Sequence, residues 1–160
     1  IHMSTQNTPL RRKDRLRTQE EARAIMESCD FAVLSTTDNE NMPYGVPVSV
    51  VLEENHLYFH CAKAGRKLEN IQQNPHVCLT FAKLRLVDGE NFTTRYESVI
   101  TEGTAAIIEE ETEKRHALQL LCRRYTQHSD EEIDAYIQHY FAQTGVVRID
   151  LESISAKANI

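Results

Sequence analysis

The residues best suited to chemistry lie in one short run, His60-Cys-Ala-Lys-Ala-Gly-Arg-Lys67. A β-prone stretch ends at His60, a loop holding Gly65 follows, and two cations, Arg66 and Lys67, open a helix-forming segment. Free backbone N–H groups and the positive end of the helix dipole gather at a helix N-terminus, which suits a phosphate. Arginine offers a bidentate fork and lysine a point charge, and together they offset a phosphate dianion. Cations in a first turn oppose the dipole, so they need a reason. Two readings fit: an anion site, or a surface helix whose first turn is basic. The spacing is neither a Walker loop nor G-x-G-x-x-G, which argues against nucleotide folds of those kinds.

Other candidates carry less. His56 and His60 share a strand face but stand about 13 Å apart at strand rise, too far for one metal ion. His116, His128 and His139 lie in or beside helical segments, and none has a second histidine at i+4. No metal site is expected. Ser35, Ser49 and Ser98 lack a G-x-S-x-G context. Cys61, next to cations, is either a thiol of lowered pKa or an inert residue at a buried strand end. A scarcity of acids, bases and nucleophiles suits a protein whose cofactor carries the reactivity.

The elements that must position this run can be read along the chain. At 160 residues, with 41% hydrophobic and 26% charged residues, the sequence suits one soluble globular domain. Ile1 and His2 precede Met3 and read as a cloning scar, with 1–10 a flexible start and 11–160 the domain. No apolar run is long enough for a membrane span or a signal peptide. Four scattered cysteines fit a reduced, cytoplasmic chain. The net charge of −6 argues against nucleic-acid partners. Arg11, Arg12, Lys13, Arg15 and Arg17 depart from that balance: either a solvated arm, or one reaching over a partner subunit or an anionic ligand.

Thr18 and Glu21 form a capping box that opens a helix from 19 to 29. Strands are predicted at 31–37, 44–52 and 56–60, joined by short polar turns as an antiparallel meander. A helix over 64–73 follows. Strands at 77–81 and 96–108 come next, with Gly103 marking a bulge or barrel corner. Two amphipathic helices carry Leu118, Leu121, Cys122 and Tyr125, then Ile133, Tyr136, Ile137, Tyr140 and Phe141. Ser129 and Glu132 suggest a second capping box, Gly145 a helix stop, and 146–151 a closing strand. The fold expected is mainly β (α+β): a six-stranded antiparallel split β-barrel with peripheral helices, although an open α+β sandwich leaves a similar pattern.

Several of these segments resemble a known superfamily. Pro43-Tyr-Gly-Val-Pro-Val-Ser49, Leu57-Tyr-Phe-His60, Ala62 to Lys67 and Asn74-Pro-His-Val77 resemble the flavin-binding split barrels around pyridoxamine 5′-phosphate oxidase. Phe92-Thr-Thr-Arg-Tyr96, Ser98 to Ala105 and the early Arg11 to Arg15 look like its nitroimidazole-resistance (Nim) branch. The resemblance implies a homodimer with two FMN sites at the subunit interface. It places Arg66 and Lys67 on the phosphate, with Gly65 before them, and His60, Cys61 and Ala62 at the strand end beside the ribityl-phosphate. Val46, Pro47, Val48 and Ser49 match the strand along the isoalloxazine ring. Ser98 matches a polar position at the flavin, with Thr94 and Tyr96 near the site from one subunit or the other. His60 matches an active-site histidine of the Nim branch.

Departures bear on function. Val46 stands where the oxidase has an arginine, the chain holds no tryptophan, and the oxidase's basic C-terminal substrate signature is missing. Oxidation of vitamin B6 therefore ranks last. First is a flavin-dependent reductase of Nim type, passing electrons from NAD(P)H through FMN to a small acceptor; FAD is the alternative flavin. Second is a binding module that holds flavin or haem without a dedicated substrate.

Overall fold

The computed structural model describes residues 9–160. The expected scar at Ile1 and His2, and most of the expected flexible start, lie outside the described residues. Helix α1 (Gln19–Ser28) begins at the predicted capping box: Thr18 Oγ1 accepts from the Glu21 N–H at 3.1 Å, and the Glu21 carboxylate accepts from the Thr18 N–H at 2.9 Å. Strands β1 (Ala32–Thr37) and β2 (Pro43–Val48) form a hairpin whose turn is held by Asp38, which accepts from the N–H groups of Glu40 and Met42.

Chain 44–52 is not one strand. It breaks at Ser49-Val50, giving β2 and a short β3 (Val51–Glu53) that pairs with β4 (His56–Ala62). Helix α2 (Arg66–Gln73), β5 (His76–Asp88), β6 (Thr93–Ile107), α3 (Glu111–Tyr125), α4 (Asp130–Tyr140) and β7 (Thr144–Asn159) complete the order. The seven strands form one antiparallel sheet, β2-β1-β5-β6-β7-β4-β3, rather than the six expected. Its two outer strands, β2 and β3, are two residues apart in sequence. The sheet therefore has to curl until its ends approach, which is consistent with a split barrel.

Curling also explains the core. Leu34, Leu79, Phe81, Val99, Phe59 and Val147 face one cluster, which α1 closes with Ile25 and Met26 and α2 with Leu68 and Ile71. Side chains alternate along a strand, so Tyr58 and Val146 face the opposite way. They pack under α3 and α4 with Leu118, Leu121, Ile133 and Ile137. Helix α3 is tied down by Arg148, whose Nη1 donates to Glu113 at 2.6 Å, and by the Tyr58 hydroxyl, which donates to the same carboxylate at 3.1 Å. Burial and that carboxylate push the Tyr58 pKa up to about 12. Buried Lys114 joins the two helices through Nζ, which donates to the Phe141 carbonyl at 2.7 Å.

Three features differ from the sequence reading. Strands β5 and β6 run on as a long hairpin past a register shift at Leu84/Leu86, because its residues lack the buried face that would show as alternation. Gly145 lies in β7 opposite Cys61, not at a helix end; a short 3₁₀ turn, Phe141–Gln143, follows α4. The second capping box is one-sided. Ser129 accepts from the Glu132 N–H, but the Glu132 carboxylate goes to His128. No helix among the described residues is long and apolar enough to cross a membrane.

Gly103 does mark a bulge, since the β6–β7 register steps there from Glu102↔Ser153 to Gly103↔Leu151. A Cβ at this position would collide with the Asp150 carbonyl oxygen and lie 2.9 Å from Ile149. Gly103→Ala is accordingly expected to destabilise the fold by about 1–3 kcal/mol, read as a lower thermal midpoint. An unchanged midpoint would mean that the bulge relaxes freely.

Candidate cofactor site

Helix α2 is fixed on the β1–β2 hairpin before its N-terminus is used. Leu68 and Ile71 enter the core, Asn70 Nδ2 donates to Thr36 Oγ1 at 3.0 Å, and Asn74 Nδ2 donates to Thr37 Oγ1 at 2.9 Å. Its N-cap, Gly65, has φ +143°, a conformation that favours glycine although the space around it is open. No side chain caps the helix. The Gly65 carbonyl accepts from Leu68 and Glu69, which leaves the first-turn N–H groups of Arg66 and Lys67 without a side-chain acceptor. The Arg66 guanidinium lies 4.3 Å from the centroid of the Tyr44 ring on β2. Among the described residues neither Arg66 nor Lys67 forms an ion pair. Two cations at the positive end of a helix, neither of them in an ion pair, can hold an anion.

The other predicted residues fall into two groups. Val46, Pro47 and Val48 lie on outer strand β2 opposite Leu34, Val33 and Ala32, and Ser49 follows at the break. A proline on an outer strand removes a donor that no neighbour needs. His60, Cys61 and Ala62 end β4, paired with Val146, Gly145 and Thr144. Burial raises the Cys61 thiol pKa despite the positive field of Lys67, so Cys61 stays protonated and inert at neutral pH. Arg66 over Tyr44 ties the start of α2 to β2, while the loop after Ala62 ties it to β4.

Thr94, Tyr96 and Ser98 lie elsewhere. From β2, strands β1 and β5 intervene before β6, a path of about 14 Å along the sheet at strand spacing. Ser98 sits between Ala82 and Lys157, and the Tyr96 hydroxyl accepts from Arg15 Nη1 at 3.2 Å. One protomer does not bring this group to the start of α2. The basic arm is neither free nor extended: Arg17 N–H donates to the Ala156 carbonyl, laying the arm along the open edge of β7.

His60 and Ser49 share a wall of a cleft of about 760 Å³ between the end of β4 and helices α3 and α4. His60 is exposed at the end of β4, and partial desolvation of its ring lowers its pKa, which favours the neutral imidazole at pH 7. Three other histidines pair with carboxylates: His116 with Glu53 at 2.8 Å, His128 with Glu132 at 2.7 Å, and His56 with Asp150 at 2.8 Å. No group of three metal-ligating side chains occurs among the described residues. Two contributors were missed from sequence. Tyr44, two residues before Val46 and so on the same strand face, was legible from the period of two. The tyrosines of α4 were read as core stripe, yet Tyr136 and Tyr140 remain exposed at the cleft.

The fold is that of the split-barrel class. The family model for pyridoxamine 5′-phosphate oxidase matches residues 18–158, and the chain belongs to that family. Among solved structures it is similar to a Bacteroides thetaiotaomicron protein provisionally named a 5-nitroimidazole antibiotic resistance protein. That pair shares 28% identity at TM-score 0.73, over 89% of this chain and 86% of the other. An FAD-binding protein from Mesorhizobium loti shares 18% identity at TM-score 0.69, covering 91% and 98% of the two chains. The haem storage protein HutZ from Vibrio cholerae shares 17% at 0.66, covering 88% and 95%. These last two likenesses show the fold alone. No curated protein sequence matches the chain.

Proposed function

We propose that this protein is a flavin-dependent oxidoreductase of nitroimidazole-reductase type, with the FMN phosphate seated on the N-terminus of α2. The observation that carries the reading is the pair of unneutralised cations, Arg66 and Lys67, at an uncapped helix start. The name of the Mesorhizobium protein supports a flavin, and that of the Bacteroides protein supports a role towards nitroimidazoles. FMN, when bound, supplies a carrier that takes a hydride from NAD(P)H and hands two electrons to a small acceptor. The chain's own residues hold and orient. Arg66, Lys67 and their backbone N–H groups bind phosphate. The free edge of β2 at Pro47 offers a backbone acceptor to the ring and the following Ser49 a backbone donor, and neutral His60 can donate a hydrogen bond from one nitrogen and accept one at the other. No dinucleotide fingerprint exists, so the nicotinamide binds transiently. FMN should bind at about micromolar affinity or better and riboflavin more weakly. Two flavin bands in the visible spectrum are expected; a Soret band with no flavin affinity would overturn the reading in favour of haem storage.

The separation of Thr94, Tyr96 and Ser98 from α2 supports a homodimer in which each flavin is held by both protomers. The β5–β6 hairpin leaves Leu84, Leu86, Val87 and Phe92 exposed, Phe92 by 96%, an apolar strip that a second copy would cover. Light scattering should give a dimer. Leu86→Asp with Phe92→Asp should shift it toward monomer and release flavin without lowering secondary-structure content. A parent monomer that retains flavin would rule out a shared site.

A further inference from the structure

We propose that the cleft between α3, α4 and the end of β4 binds an uncharged, largely apolar compound of fused rings, beside His60. Its volume of about 760 Å³ suits a small molecule rather than a chain segment. The floor is Leu118, Leu121, Ile133 and Ile137, all buried. Tyr136 and Tyr140 stand at the rim with centroids 4.7 Å apart, and both are exposed. The Tyr125 hydroxyl is engaged with the Val50 carbonyl at 2.8 Å, which fixes that ring as wall.

Charge decides what fits. No lysine or arginine lines the cleft, and its acid, Glu132, is paired with His128 at 2.7 Å. An anion or a cation would enter with no counter-charge and lose its hydration. A phosphorylated vitamin is therefore mismatched here. His60, Ser49 and the hydroxyls of Tyr136 and Tyr140 are left to orient a guest. Among the described residues, the side chains of His60 and Ser49 make no hydrogen bond, whereas Thr144 Oγ1 is committed to the Tyr140 carbonyl. A ring bearing one hydroxyl or carbonyl group satisfies both the walls and these partners.

Reading this guest as the electron acceptor rests on the flavin proposal; its binding does not. Equilibrium dialysis of the protein as purified, and again after flavin removal, against 2-naphthol and 2-naphthoate tests the site. One 2-naphthol per chain is expected, held at least about tenfold more tightly than the anionic 2-naphthoate. Tyr136→Ala and Tyr140→Ala should each weaken it by about fivefold, Tyr136→Phe should not, and thermal midpoints should stay level because both rings are exposed. Equal affinity for the two probes, indifference to both alanine variants, or no binding because a second copy covers the cleft would each overturn the proposal. If FMN fails to bind while tyrosine-dependent 2-naphthol binding persists, the cleft stands and the acceptor reading falls.

Discussion

Replacing Arg66 and Lys67 together by alanine is expected to weaken FMN binding by about 10²–10⁴-fold and leave riboflavin binding nearly unchanged. Each charge-assisted hydrogen bond to a phosphate is worth roughly 1.5–3 kcal/mol, so each single variant should lose about tenfold to a hundredfold. The fold should tolerate the change. Neither residue is buried, and removing cations from a helix N-terminus relieves an unfavourable interaction with the dipole. Arg66→Ala also loses the contact with the Tyr44 ring, worth about 0.5–1 kcal/mol at an exposed site. Flavin fluorescence titration of FMN and riboflavin in parallel separates the terms. A riboflavin loss equal to the FMN loss would mean that the cations hold something other than the phosphate.

What made the start of α2 legible is that its signals are local. A capping box, a strand end, a glycine and two cations act over a few residues, and the structure places Thr18, Gly65, Arg66 and Lys67 as that local chemistry requires. Gly103 was legible for the same reason, since a glycine in a β-prone run has few explanations besides a close approach. The illegible features depend on partners distant in sequence. The break at Ser49-Val50 follows from β2 pairing with β1 while β3 pairs with β4, a choice invisible in a run of valines. The far half of β7 escaped because its inward residues, Ala156 and Ala158, are small and so give little hydrophobic contrast. The cleft was hidden too, since the i, i+4 spacing of Tyr136 and Tyr140 looks the same in a buried stripe as beside an opening.

His60 sets the second large effect. The imidazole shares the cleft wall with Ser49, makes no side-chain hydrogen bond among the described residues, and has its pKa lowered by burial. An imidazole kept unpartnered beside an open cleft can, in its protonated form, donate a proton to an acceptor as the acceptor takes up electrons. His60→Ala is then expected to keep FMN affinity within about threefold and slow reduction of a nitroaromatic by on the order of 10²-fold. The pH dependence has a defined sign. Protonation occurs below the ordinary value of 6.5, so parent turnover should rise as the pH falls through a midpoint under 6.5. His60→Gln, which can hydrogen-bond but not titrate, should hold flavin and give a flat profile over the same range. Stopped-flow reoxidation of prereduced protein by the nitroaromatic measures the step without the nicotinamide half-reaction. If His60→Ala loses FMN and the residual holo-protein reacts at the parent rate, the histidine belongs to the ribityl-phosphate contacts instead. If neither affinity nor rate changes, it serves neither role.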